Sequence, residues 1–134
     1  FNYKNINCVI INEAELRSEM RNREDGINIL IKKLSNKLSL KYLAVTRGSK
    51  GIILYDAKNR KFFNSPAFEF NAIDKIGAGD TILSILSICI FKKIDLNLAL
   101  YISSLAAALS VRVIGNKFSI TKENLLKYIS HTLN

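Results

Sequence analysis

Cys8-Val9-Ile10-Ile11 runs directly into Asn12-Glu13-Ala14-Glu15-Leu16. The first four residues are a continuous, largely β-branched apolar run, the pattern of a strand covered on both faces, and the next five turn at once to helical composition. After Gly26 the apolar positions Ile27, Leu30, Ile31, Leu34 and Leu38 recur at helical spacing, with Lys32, Lys33 and Lys37 on the other faces. That pattern predicts an amphipathic helix packed on a sheet. Tyr42-Leu43-Ala44-Val45-Thr46 is then a second buried strand. Strand, helix, strand with so long a connection is a right-handed crossover between parallel strands, so the fold class is α/β.

Beyond Thr46 the texture changes. Arg47-Gly48-Ser49-Lys50-Gly51 reads as a turn, Ile52–Tyr55 and Lys61–Phe63 as the arms of a hairpin about Asp56-Ala57-Lys58-Asn59, and Ala67–Phe70 alternates like an exposed edge strand. Two apolar helices are expected next, from Asp80 to about Lys92 and from about Leu96 to Val113. Both are nearly free of internal charge, which suggests packing between layers. Asp95 is placed to cap the second. Thr121 can cap a final amphipathic helix reaching about Thr132, with Leu125, Leu126 and Ile129 on its buried side. No repeat, low-complexity tract or linker interrupts the chain, and Pro66 is its single proline.

The 134 residues suit one domain, able to bury roughly two-thirds of its unfolded surface. With 49% hydrophobic and 23% charged residues the chain is of ordinary globular composition. Its opening Phe1-Asn2-Tyr3-Lys4 lacks a signal-peptide core, and its only methionine is Met20, so it reads as a fragment of a longer protein. The longest charge-free stretch, Leu96–Val111, falls short of the roughly 18 to 20 residues a bilayer requires, so no membrane partner is expected. The net charge of +9 allows attraction to phosphates. Its lysines and arginines are scattered, however, unlike the stripe of a nucleic-acid module, so no nucleic-acid partner is expected either. Cys8 and Cys89 each lie in an apolar run, and His131 is the only histidine, which argues against a zinc site or a disulfide framework and for a reducing, cytoplasmic setting.

Chemistry concentrates in Asp74-Lys75-Ile76-Gly77-Ala78-Gly79-Asp80-Thr81, a glycine turn ahead of a long apolar helix. Glycines at 77 and 79 permit positive φ and clear side chains from the approach of a phosphate. The first helical amides, which have no internal acceptor, point outward with the positive end of the helix dipole. A carboxylate at Asp80 repels an anion bound there unless it has work such as taking a proton from an attacking hydroxyl. The structural alternative is a Gly-x-Gly turn with Asp80 serving only the helix dipole. A Walker A loop and a Rossmann Gly-x-Gly-x-x-Gly are both excluded, the first for want of Gly-Lys-Ser/Thr and the second for want of the third glycine.

This stretch resembles the C-terminal signature Asp-Thr-x-Gly-Ala-Gly-Asp of the PfkB, or ribokinase-like, family of carbohydrate kinases. Other elements in family order support the likeness. Asn12-Glu13-Ala14-Glu15 resembles its Asn-x-x-Glu, and Thr46-Arg47-Gly48-Ser49-Lys50-Gly51 resembles its strand-end Thr-x-Gly-x-x-Gly. Ser104-Leu105-Ala106-Ala107 through Val113-Ile114-Gly115 is similar to the helix and turn beside its adenine pocket. The resemblance implies the C-terminal half of a three-layer, Rossmann-like ribokinase fold, with parallel strands, a hairpin edge and packed helices. Residues 1–134 would be the nucleotide-binding part, and the N-terminal sugar-binding part and lid would lie outside them. Alone, such a part is expected to be nearly inactive toward sugars.

For the matched positions the resemblance implies Asp80 as catalytic base and Gly77, Ala78 and Gly79 as anion hole. Thr46, Gly48, Gly51, Ser104 and Ala107 would meet the nucleotide. Asn12 and Glu15 would organise Mg2+, mostly through water, and Asp74 would match part of the monovalent-cation (K+) site of some members. The implied cofactors are therefore ATP and Mg2+, with K+ in that subset. Structural alternatives stand beside each role: Asn12 and Glu15 as a capping box, Thr46–Gly51 as the start of a hairpin, Ser104 and Ala107 as close helix packing. Lys75 departs from the family threonine, and so long a cation either adds a phosphate contact or crowds the site.

Val45-Thr46-Arg47-Gly48, Ser65-Pro66-Ala67, Ala106-Ala107-Ala108 and Val111-Arg112-Val113-Ile114-Gly115 are most similar to kinases of heptose 7-phosphate. The implied reaction is ATP-dependent phosphoryl transfer to a sugar or sugar-phosphate hydroxyl. The implied partners in the full-length protein are a fused nucleotidyltransferase domain or a second copy forming a homodimer. The alternative function is a non-catalytic nucleotide-binding or scaffolding domain that kept the fold and lost turnover.

Overall fold

The structure, a computed structural model, describes residues 7–68, 77–112 and 121–132. Strand β1 (Cys8–Asn12) is followed by helices α1 (Glu13–Met20) and α2 (Ile27–Leu38) and by strand β2 (Tyr42–Thr46), which pairs with β1 in parallel. A single 3-10 turn at Gly48–Lys50 reverses the chain into β3 (Ile52–Asp56), and β4 (Lys61–Ser65) completes an antiparallel hairpin. Among the described residues the sheet order is β1-β2-β3-β4, so the sheet is mixed. Helices α3 (Ala78–Phe91), α4 (Leu96–Arg112) and α5 (Lys122–Thr132) complete the element order.

Strand alternation sorts the apolar residues into two cores. Leu43, Val45, Ile53 and Tyr55 face one side, where Leu16 of α1 and Leu30, Ile31 and Leu34 of α2 cover them. Ala44, Ile52 and Leu54 face the other, under Ile82, Leu86 and Cys89 of α3 and Ala99, Leu100 and Ala107 of α4. Side chains of adjacent strand residues point to opposite faces, so a run apolar throughout, such as Leu43-Ala44-Val45, needs a helix layer on each side. The result is the three-layer arrangement expected.

Local chemistry fixes the element ends. Asn12 and Glu15 form a reciprocal capping box on α1: the Glu15 amide donates to Asn12 Oδ1 at 2.8 Å, and the Asn12 amide donates to Glu15 Oε2 at 2.9 Å. The Asp56 carboxylate, buried at the hairpin, accepts from the amides of Lys58 and Asn59 and from Asn59 Nδ2. Gly51 has φ +82°, and a Cβ there would lie 2.0 Å from the Ser65 carbonyl oxygen, so this turn admits only glycine. Asp95 caps α4, its Oδ1 accepting from the Leu98 amide at 3.1 Å.

Three expectations need correction. No strand covers Ala67 and Phe68: β4 ends at Ser65, where Pro66 has no amide to extend the ladder, and Glu69 and Phe70 lie outside the described residues. Helices α3 and α4 are not covered all round, because Ile88, Phe91 and Leu98 stand exposed, Phe91 at 81%. Absence of charge made both helices read as buried, yet it fixes no more than the faces that meet the sheet and each other. On α5, Leu125 and Ile129 are half-buried one turn apart, whereas Leu126, about 100° further round the helix, is exposed.

Candidate active site

A cavity of about 640 Å³ opens at the ends of β1 and β2 where the chain leaves both strands. That volume is within the roughly 300 to 1,000 Å³ usual for small-molecule sites. The parallel register makes Asn12 and Thr46 neighbours, and Thr46 is in turn opposite Ile52. Asn12 and Glu15 line one side of the cavity. Thr46, Gly48 and Gly51 line it after β2, Ala78 and Gly79 from α3, and Ser104 and Ala107 from α4. Residues scattered from 12 to 107 are thereby brought to one space.

The start of α3 is bare. Gly77 adopts a left-handed conformation with φ +88° and supplies no side-chain cap. The first backbone bond of the helix is from the Thr81 amide to the Gly77 carbonyl, so the amides of Ala78, Gly79 and Asp80 are left without helical acceptors. Among the described residues a Cβ built on Gly79 would meet nothing within 4 Å, so none of them demands glycine there or fills the space beside it. Such a terminus presents free amides at the positive end of the helix dipole, an arrangement suited to an anion. Gly77 and Asp80 are exposed and adjoin the cavity without lining it. Among the described residues the Asp80 carboxylate has no hydrogen-bond or ion-pair partner.

The α4 lining also holds an unmet polar group. The Ser104 hydroxyl is buried and has no hydrogen-bond partner among the described residues. Its neighbour Ser103 by contrast donates to the Ala99 carbonyl at 2.7 Å. A buried hydroxyl on a cavity wall with nothing to bond is suited to a polar ligand atom. Phe68 adds an aromatic side to the cavity and stacks edge-on against Tyr101, with ring centroids 5.1 Å apart.

Two charged cavity residues have no role assigned from sequence, Glu13 and Arg47. Arg47 Nε donates to Glu13 Oε2 at 3.1 Å. Arg17 donates to the other oxygen, Oε1, through Nε at 3.0 Å and Nη2 at 2.9 Å. The Arg47 hydrogen bond, followed by that of Arg17, holds the Glu13 carboxyl below its ordinary pKa of 4.5 against the opposing effect of partial burial. The only sequence signal was that each residue stands one place beyond a strand end, and it becomes readable once Asn12 and Thr46 are known to be in register.

Of the roles implied for ions, those of Asn12 and Glu15 are constrained. Both side chains are engaged in the capping box, and no group of three His, Cys, Asp or Glu able to hold a metal occurs among the described residues. The pair fits a magnesium ion only as an outer partner, with water and phosphate oxygens next to the ion. Asp74, Lys75 and Ile76, and with them the implied K+ site, lie outside the described residues, as do Val113, Ile114 and Gly115.

Comparison with solved structures defines the class. The chain superposes on ribokinase from Thermotoga maritima with a TM-score of 0.75 at 22% identity, covering 93% of this chain and 42% of that one. It superposes on Arabidopsis thaliana ribokinase, solved with ribose and ATP, with a TM-score of 0.74 at 23% identity, covering 92% of this chain and 40% of that one. The fold is therefore a part of the ribokinase fold. A family model described as pfkB family carbohydrate kinase matches residues 3–123, and the chain belongs to that family. Among curated relatives, the bifunctional protein HldE of Campylobacter curvus is 36% identical over 118 residues, which cover 85% of this chain and 24% of that protein. HldE of Campylobacter fetus is 36% identical over 95 residues, covering 71% and 20%. The chain thus spans a quarter or less of the curated relatives it matches. Among the described residues no helix is long and apolar enough to cross a membrane.

Proposed function

We propose that residues 1–134 form the nucleotide-binding part of a cytoplasmic kinase that transfers the γ-phosphoryl group of ATP to a hydroxyl of a sugar or sugar phosphate. The observation that carries this reading is the convergence of Asn12–Glu15, Thr46–Gly51 and the uncapped start of α3 on one cavity, with open space beside Gly79. In this reading the amides of Ala78 and Gly79, with that of Gly77 beside them, hold the transferring phosphoryl group, and Ser104 and Ala107 border the base. Asp80, one residue beyond the cradle, takes the proton of the acceptor hydroxyl as its oxygen bonds to phosphorus and ADP leaves. Asn12 and Glu15 would hold a magnesium ion through water, and the ion would supply charge neutralisation at the phosphates. Asp74 would contribute to a K+ site.

Heptose 7-phosphate is the acceptor proposed, on the likeness around Thr46 and Ala107. The proposal includes a sugar-binding part elsewhere in the polypeptide and, as partner, a fused nucleotidyltransferase or a second copy; relatives named bifunctional support a fused domain. The test is Asp80→Asn in the full-length protein. An enzyme loses about two to four orders of magnitude in kcat while its ATP affinity stays within about twofold. Unchanged turnover would remove Asp80 as the base, and a wild-type protein that binds ATP but never turns over would favour the scaffolding alternative.

A further inference from the structure

The two arginines that share Glu13 are not equivalent. Arg17 is fully committed: its Nε and Nη2 donate to Glu13 Oε1, and its Nη1 donates to the carbonyls of Arg23 and Asp25, each at 3.1 Å. It ties α1 to the loop that leads into α2. Arg47 makes one side-chain hydrogen bond, from Nε, and its two Nη groups have no partner among the described residues. Its side chain is only 22% exposed, and it lines the cavity between Thr46 and Gly48. The backbone beneath it is fixed as well, since the Arg47 amide donates to the Gly51 carbonyl at 2.8 Å.

A half-buried guanidinium pinned along one edge, with its other edge open among the described residues, is preorganised for an anion. The planar fork keeps its direction, and little side-chain freedom remains to be lost when two oxygens bind. Charge supports the same conclusion. Glu13 lies between two cations and is already satisfied at both oxygens, so it anchors Arg47 without exhausting its donors. The remaining carboxylate on that side of the cavity, Glu15, is engaged with the Asn12 amide. Among the described residues that line the cavity Arg47 is the one cation, and without it the charged side chains facing a polyphosphate would be the carboxylates of Glu13 and Glu15.

Resting on the nucleotide reading above, we propose that Arg47 is a phosphate-binding residue, whose Nη groups take non-transferred phosphate oxygens of a nucleotide held in the cavity that Ala78 and Gly79 also line. Glu13 is its positioning residue. The site thereby selects for the length of the polyphosphate chain, a preference that backbone amides at one helix end supply less sharply.

The experiment is calorimetric binding of ATP, AMP and adenosine to this chain and to its Arg47→Ala and Arg47→Lys variants, with folding checked by circular dichroism. Arg47→Ala is expected to weaken ATP about tenfold or more, as for loss of a charged hydrogen bond, and to leave adenosine within about twofold. Arg47→Lys, which keeps the charge and loses the fork, should fall between, and it decides the matter if the alanine variant does not fold. ATP and adenosine weakened in equal proportion, or ATP unaffected, would overturn the role of Arg47 and leave the nucleotide site standing. A wild-type chain that binds none of the three overturns the nucleotide reading and this role with it.

Discussion

Asn12 and Thr46 are partners in the parallel register of β1 and β2, and that single pairing aligns two motifs far apart in sequence at the mouth of one cavity. The residues just beyond them, Glu13 and Arg47, join in an ion pair at 3.1 Å and lock the alignment. The strand ends of an α/β sheet are where ligands bind in such folds, because helix termini and loops gather there. The glycines of this site do different work, which can be separated experimentally.

Gly51 is structural. Its φ of +82° and the 2.0 Å approach of a Cβ to the Ser65 carbonyl leave no room for a side chain. Gly51→Ala should therefore lower unfolding free energy by about 2 to 5 kcal/mol, combining backbone strain with overpacking, as read from urea denaturation. Loss of ATP binding in that variant would result from damage to the fold and would say nothing of a direct contact.

Gly79 is the opposite case. Among the described residues a Cβ there meets nothing within 4 Å, so Gly79→Ala should keep or raise stability, by up to about 1 kcal/mol from helix propensity. If the proposed cradle holds the phosphate, the methyl would occupy the space it needs, and ATP affinity should drop about tenfold or more. Full ATP affinity in a folded Gly79→Ala chain would rule out the anion cradle.

Glu13 makes stability depend on acid. Its folded pKa lies below the ordinary 4.5 because Arg47 and Arg17 bond to the carboxylate, so the unfolded chain takes up the proton first as pH falls. The contribution is present above about pH 4.5 and is lost as pH drops through the folded value. Thermal melts from pH 7 to 3 should show a shallower decline for Glu13→Gln than for wild type. Equal slopes would mean that the shared carboxylate adds nothing to folding.

Much of this architecture is legible in the residues. Cys8–Ile11 and Tyr42–Thr46 read as buried strands because their apolar runs leave no solvent face, and the hairpin is readable because Asp56-Ala57-Lys58-Asn59 is turn chemistry between two apolar runs. The motif residues are legible as types at fixed spacing, which is why Asn12, Thr46, Gly79 and Ser104 can be picked out without knowledge that they converge. Exposure of Phe91 and Ile88 is not legible, since a charge-free helix looks the same whether one face or all of it is covered. The Glu13–Arg47 pair is hidden for a different reason: it depends on strand register, which sequence pattern does not specify for two parallel strands separated by helices.

The most direct measurement is an amide-resolved NMR titration of this chain with ATP and magnesium. A single nucleotide site predicts that Asn12–Glu15, Thr46–Gly51 and Gly77–Asp80 shift together along one binding curve, with the Lys122–Thr132 helix unmoved. A folded chain in which those three segments stay still, or shift with unrelated midpoints, would contradict the claim that they form one nucleotide site.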